Sequence, residues 1–221
     1  MTIHIGPEIA SKCPGLVLGC VSCSVVLAPS GPELLQLMDD RAEELADTLP
    51  VDQISSLDII RATREAYKKT GKKPGRYRPS AEALLRRVVS GKGLYRINNV
   101  VDLLNYLSIT THFSIGGFDM DRIEGDPVLG VGREGEPYEA IARGQLNIDG
   151  LPVLRDRLGA FGTPTSDSER TGVRPGTSRF LMVIYNFGNQ PGLEGACREA
   201  IELLGRYASA GEREWWLVEA S

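Results

Sequence analysis

Two periods of apolar and polar positions sort most of the chain into elements. Leu16 to Leu27 is a nearly unbroken run of apolar and small residues, the pattern of a strand buried on both faces. Pro29-Ser30-Gly31-Pro32 then turns the chain into a polar helix from about Glu33 to Leu45, with Leu34, Leu37, Met38 and Leu45 as its inward stripe. Pro50 interrupts that pattern. Ser55 or Ser56 can cap a second helix running through Ile59, Ile60, Ala62, Thr63, Ala66 and Tyr67 to Thr70, with Gly71 just past its end. Pro79-Ser80 opens a third, where Ser80 caps, Leu84, Leu85 and Val88 face inward and Arg86 and Arg87 stay wet, until Ser90-Gly91-Lys92-Gly93 stops it.

After Asn99, the residues Val100, Val101, Leu103, Leu104 and Leu107 crowd one side of a helical wheel, predicting a helix from about Val100 to Ile109. With Asn99 as its N-cap, Asp102 falls at the third helical position, where a carboxylate answers the cap and the dipole. The amides free at such an end either hold an anion or a polarised carbonyl oxygen, or are sealed against the protein by ordinary capping. Phe113 to Asp121 reads as a glycine-marked bend around Gly116-Gly117. Strands around Val128 to Val131 and Tyr138 to Ala142 alternate with acidic, glycine-rich turns. Gly130-Val131-Gly132-Arg133-Glu134-Gly135 matches the dinucleotide fingerprint only formally, because Glu136-Pro137-Tyr138 follows where a helix must open. Phe161 to Val173 is a long loop of hydroxyl and charged residues, functional or mobile by type. A buried strand over Phe180 to Tyr185, an amphipathic helix over Leu193 to Tyr207 and a short strand at Trp215 to Val218 close the chain, and no repeat or long linker divides residues 1–221, so one domain is expected.

Composition changes this picture mainly through charge. The net charge of −4 conceals a segment from Arg61 to Arg96 that carries +10, against −14 for the remainder. Attraction to a polyanion should therefore be local to one face, although a pair of solvated helices explains the same run. Within it, Lys72, Lys73, Arg76 and Arg78 on the loop Gly71 to Pro79 could grip phosphates while Tyr77 stacks on a base or anchors the loop.

Cys20 and Cys23 have the spacing of half a zinc site, but no second pair exists, and on a strand a separation of three puts the thiols on opposite faces. Inert buried thiols, no metal and no cofactor are expected. Of the two histidines, His4 and His112, the second could serve as a general base, but beside Phe113 and Ile115 it is also a natural packed group. The nucleophile elbow, the Walker loop and paired metal-spaced histidines are absent from the sequence. It has no apolar run of membrane-spanning length and its start lacks signal-peptide features, so a cytoplasmic protein is expected.

The run Arg96-Ile97-Asn98-Asn99-Val100-Val101-Asp102-Leu103-Leu104-Asn105-Tyr106 resembles the segment R-x-x-N-N-V-V-D-x-x-N-Y of the B-three/B-four editing domain in the β subunit of bacterial phenylalanyl-tRNA synthetase. Phe118-Asp119 fits the end of that family's P-x-H-A-F-D, and Glu169-Arg170-Thr171-Gly172-Val173 fits its G-G-E-x-S-G-V. Arg76 to Leu84 looks like the freestanding relatives of the domain, and the resemblance spans roughly Leu57 to Ile184. It implies an α+β fold of mixed sheets flanked by helices and a pocket for the 3′ aminoacyl end of tRNA, where the synthetase hydrolyses wrongly esterified tyrosine. Carried over position by position, Arg96, Asn98 and Asn99 would line the pocket, while Glu169 and Thr171 would supply polar groups toward the ester or the side chain. Aligning Ser114 to Asp119 with P-x-H-A-F-D puts Gly116 at the editing histidine and Gly117 at the following alanine.

The expected function is thus a freestanding tRNA-editing esterase whose partner is tRNA or aminoacyl-tRNA. Ester hydrolysis needs only a positioned water and a stabilised oxyanion, which Glu169 and the helix-end amides could supply without the histidine. With Gly116 in its place, the alternatives are a non-catalytic tRNA-binding module or a protein that binds a small amino-acid-like molecule.

Overall fold

The structure is a computed structural model and describes residues 1–220. Its first elements are a two-residue strand β1 (His4–Ile5) and a single-turn-and-a-half helix α1 (Pro7–Lys12), followed by β2 (Val17–Ser24), α2 (Pro32–Thr48), α3 (Asp58–Thr70), α4 (Ser80–Arg87) and α5 (Asn99–Thr111). Then come β3 (Ser114–Asp119), β4 (Val128–Val131), β5 (Glu139–Ala140), β6 (Gly144–Gln145), β7 (Pro152–Asp156), β8 (Gly159–Gly162), β9 (Arg179–Asn186), α6 (Leu193–Tyr207) and β10 (Gly211–Glu219). The expected α+β class of mixed sheets with flanking helices holds.

The central layer is an antiparallel sheet in the order β10-β2-β9-β3, so that β3 lies at a free edge. Period-two alternation along β9 sends Phe180, Met182 and Ile184 to one face, where α2, α5 and α6 pack with Leu34, Met38, Leu103, Leu107, Ala200 and Leu204. Leu181, Val183 and Tyr185 go to the other face, against Leu129, Leu154 and Phe161 of a second sheet in the order β1-β4-β7-β8. A sheet covered by helices on one side and by a sheet on the other needs apolar residues on both faces, which is why β2 reads as a continuous run. Cys23 accordingly joins the helical side and Cys20 the sheet side, and all four thiols are buried and unpaired.

Several local expectations shift. Asn98, not Asn99, caps α5: its side chain accepts from the amides of Val100 and Val101 at 3.1 and 2.9 Å. Asp102 is then one position further in and reaches back to the Ile97 amide and the Ser30 hydroxyl, at 2.7 and 2.6 Å. Ser55 and Ser56 belong to a short 3-10 turn, and α3 is preceded by Leu57 with no side-chain cap. Ser80 is the first helical residue rather than the cap: extended Pro79 holds the cap position, the Ser80 hydroxyl makes no cap bond, and its free amide donates to the Pro164 carbonyl. The expected bend at Gly116-Gly117 is the edge strand β3. The glycine fingerprint lies on β4 and a turn, and a side chain at Gly132 would stand 1.8 Å from the Ile148 carbonyl oxygen, so that glycine serves close packing.

Candidate functional site

Beside the free edge of β3 lies a pocket of about 640 Å³, within the range of small-ligand sites. One wall is α4 and the turn after it, contributing Leu84, Arg86, Arg87 and Lys92. Gly91, with φ of 76°, uses the left-handed region to release the chain from that turn into the extended segment that carries Tyr95 and Ile97 along the rim. A second wall is α5, through Val101, Leu104 and Asn105, and the floor is Ile115 and Gly117 of β3. Thr163 to Asp167 and the turn Ile141 to Arg143 close the remaining side.

Asp167 is the only carboxylate in this lining, against four cations, Arg86, Arg87, Lys92 and Arg143. Its placement follows from the edge-strand geometry, in which β3 presents amides outward with no strand to receive them. Asp119 N donates to the Thr171 carbonyl, and Gly117 N donates to Asp167 Oδ2 at 2.9 Å. The loop holding the carboxylate is itself fixed, since Thr163 Oγ1 accepts from the amides of Thr165 and Ser166 at 3.1 and 3.0 Å and donates to the Ser166 carbonyl. Tyr67 and Thr165 hydroxyls bond each other at 2.8 Å, and Tyr138 donates to the Ser166 carbonyl at 2.7 Å. Burial pushes the Asp167 carboxyl up to about 7, and the Gly117 amide only partly counters it. Asp167 Oδ1 is buried without a partner among the described residues.

Gly116 points to the opposite side of β3 from Gly117. A side chain there would meet the Phe118 ring at 2.6 Å and Asp167 Oδ1 at 2.9 Å. The volume left by the glycine is therefore filled, by an aromatic ring tip and by the one pocket carboxylate. Gly117 faces α5, and a side chain there would meet Leu104 at 2.6 Å.

The remaining sequence-derived candidates take up other positions. Asn99 is buried, and its amide group holds Ala28 N, Val26 O and Tyr207 O at 3.0, 2.9 and 2.9 Å, a staple between the exit of β2, α5 and the end of α6. Arg96 is exposed and clasps Asp39 with both carboxylate oxygens. Thr171 is fully buried. Glu169 is exposed and accepts from the Ala142 amide at 3.3 Å, so it braces the turn that carries Arg143 rather than lining the pocket.

The basic loop divides. Lys72 is buried, with its three ammonium donors directed at the Asn147 carbonyl, the Asn147 Oδ1 and the Asp149 carbonyl at 2.9, 3.4 and 2.5 Å and its charge 4.0 Å over the Tyr77 ring, which turns it away from a phosphate. Burial lowers its pKa. Tyr77 packs under that cation rather than presenting a free face. Lys73, Arg76 and Arg78 stand exposed with no carboxylate partner among the described residues. His112 closes α5 in a left-handed conformation, and burial holds its pKa below the usual histidine value. It does not border the pocket.

Asp167, Arg143, Asn105 and Tyr95 are the pocket groups that the sequence did not single out. Asp167 lies in the loop already marked for its polar concentration, whereas Arg143 carries no local signal. A depression of similar volume near β1 and β4 is lined by both signs of charge; Arg157 pairs there with Glu124, and Arg155 is held by Glu136 from outside the lining. Among the described residues no group of three or more His, Cys, Asp or Glu side chains could hold a metal ion. No helix among them is long and apolar enough to cross a membrane.

Comparison with known proteins gives one solved structure of interest, an N-terminal fragment of the phenylalanyl-tRNA synthetase beta-subunit from Pyrococcus horikoshii. It is 14% identical at a TM-score of 0.48, the match covering 99% of this chain and 50% of that one. The chain thus spans half the length of that fragment. No curated protein matches. A family model described as the B3/4 domain matches residues 62–191, which include α4, α5, β3, the 163–173 loop and β9. That match takes in more than half of the 221 residues and the pocket with them, and the chain belongs to the B3/4 domain family.

Proposed function

We propose that the pocket beside β3 receives the aminoacyl-ester end of tRNA and hydrolyses mischarged ester there, with the whole chain acting as one editing-type unit in the cytoplasm. The observation that carries this reading is the arrangement of charge: Arg87, Lys92 and Arg143, with Arg86 paired to the buried Glu82, surround a mouth whose one carboxylate, Asp167, is half-buried and raised to about 7. Cations at the rim suit a phosphodiester backbone, and a carboxyl poised near neutrality suits proton transfer. Membership of the B3/4 domain family is in keeping with the same substrate class.

In the proposed reaction, ionised Asp167 takes a proton from a water as its oxygen adds to the ester carbonyl. The tetrahedral oxyanion then collapses, the bond to the ribose oxygen breaks, and the proton passes to that oxygen, leaving free amino acid and tRNA. Arg143 and Arg87 hold phosphates, and Asn105 orients the aminoacyl group. Glu169 acts as a positioning residue through the Ala142 turn.

Release of amino acid from a panel of aminoacyl-tRNAs tests the reading. Turnover above the spontaneous rate for at least one ester, lost in Asp167→Asn, is the expected result; spontaneous rates throughout would reject the hydrolysis. Gly116, whose space is filled by Phe118, favours one other reading, a module that binds the same end without turnover. Binding that falls steeply with salt, without hydrolysis, would select it.

A further inference from the structure

We propose that Tyr95 is a stacking platform for an unpaired nucleobase at the mouth of the pocket. This rests on the reading of the pocket as a tRNA-end site and adds the surface that engages the single strand. Tyr95 is 51% exposed and Ile97 is 61% exposed, both on the one extended segment along the rim. The Arg87 guanidinium lies 4.0 Å from the Tyr95 ring centroid, fixing the ring and polarising it.

Charge selects the occupant. Arg87, Lys92 and Arg143 border the same mouth, while Arg86 there is paired with the buried Glu82, so a partner that offers both an aromatic face and negative charge fits it better than an apolar or acidic peptide. Single-stranded RNA combines the two, with bases stacking on aromatic rings and phosphates meeting Lys and Arg. Each tyrosine carries a cation 4.0 Å from its ring, Lys72 on Tyr77 and Arg87 on Tyr95, but Tyr77 is half-buried in the basic loop while Tyr95 is 51% exposed, so Tyr95 is the more open ring beside these cations.

The test is equilibrium binding of a labelled short RNA ending in CCA, alongside the same RNA lacking its terminal base. Tyr95→Ala should weaken binding about tenfold, within the measured range for one stacked base, and Tyr95→Trp should preserve it. Deleting the terminal base should weaken the wild type similarly and leave Tyr95→Ala unchanged. The salt slope should stay fixed in Tyr95→Ala and fall by about one in Arg143→Ala. Unaltered binding by Tyr95→Ala, or additive losses from the variant and the missing base, would overturn the platform while leaving the tRNA-end reading standing. Absence of any RNA binding by the wild type at low salt would overturn both. Because Tyr95 is half exposed, unchanged thermal unfolding of its variants checks that the fold is intact.

Discussion

Asp167 Oδ2 sits 2.9 Å from the amide of Gly117, so the pocket's one carboxylate is held by the unpaired edge of the central sheet. An edge amide that would otherwise need water or another strand receives a side chain, and the same bond fixes that carboxylate in the pocket lining, with its other oxygen buried beside Gly116. If Asp167 is the base, hydrolysis should rise with pH and level off above about 7, where its carboxyl is ionised. Asp167→Asn should keep the edge bond through its amide oxygen and lose about a hundredfold or more in kcat. A pH profile of single-turnover hydrolysis checks both. A flat profile from pH 5 to 9, or full activity in the variant, would remove Asp167 from the chemistry.

The same carboxyl links stability to pH. Its pKa is raised in the folded chain, from an ordinary 3.8 to about 7, so between those values the native state binds more protons than the unfolded state. Stability should therefore fall as pH rises from about 4 to about 7 and be flat beyond, by an amount on the order of a few kcal/mol. Urea unfolding at pH 5 and pH 8 should show the loss in the wild type and not in Asp167→Asn. Equal differences in the two proteins would mean that the carboxyl is not desolvated.

Replacing Gly116 should damage the fold rather than restore a missing group. Even Gly116→Ala places a carbon 2.6 Å from the Phe118 ring, and that ring is pinned from the other side, since a side chain at Gly162 would meet it at the same 2.6 Å. Phe118 also packs edge-on against Phe161 with centroids 5.0 Å apart. The ring has nowhere to retreat, and a loss of about 1–3 kcal/mol is expected, the usual cost of overpacking. Chemical denaturation of Gly116→Ala and Gly116→His measures it, and a His variant as stable as wild type and more active would contradict the placement.

What could be read from the sequence followed the strength of local periodicity. The apolar stripes of α5 and α6 and the continuous runs of β2 and β9 are dictated by one dominant environment each, and their residues announce it. β1, α1, β7 and β8 are short, and β1 exists only through parallel pairing with β4, some 120 residues away, which no local pattern encodes. Gly116-Gly117 looked like a bend because glycine is a poor strand former. The structure uses it there since Leu104 and Phe180 on one face and Phe118 and Asp167 on the other leave no room for a side chain. The site was legible only in outline: the helix mouth at Asn98 and the loop at 161–173 do flank it, but the residues turned toward the pocket depend on tertiary placement.

The two adjacent asparagines should separate cleanly. Asn98→Ala removes a cap and should cost about 1 kcal/mol. Asn99→Ala removes three part-buried hydrogen bonds at once, to the Ala28 amide and the carbonyls of Val26 and Tyr207, and should cost about 2 kcal/mol, more than the cap. Neither should change hydrolysis per folded molecule, because neither side chain borders the pocket. Urea midpoints read the first statement and activity normalised to folded fraction reads the second. A hundredfold loss of activity in a fully folded Asn99→Ala would return that residue to the site.

The four cations of the basic loop should divide in the same way when RNA binding is measured against salt. Lys73, Arg76 and Arg78 are exposed on the approach to α4, whose far end carries Arg86 and Arg87 into the pocket wall, so one basic track could follow a strand toward the mouth. Substituting any of the three with Ala should weaken binding to all RNA sequences alike and lower the salt slope by about one. Lys72→Ala should leave the slope unchanged, since its ammonium is spent on the Asn147 and Asp149 carbonyls, and should instead loosen the 71–79 loop. Hydrogen exchange at Asn147 to Leu151 would register that loosening. A lowered slope with unaltered exchange in Lys72→Ala would show that the side chain swings out to meet phosphate.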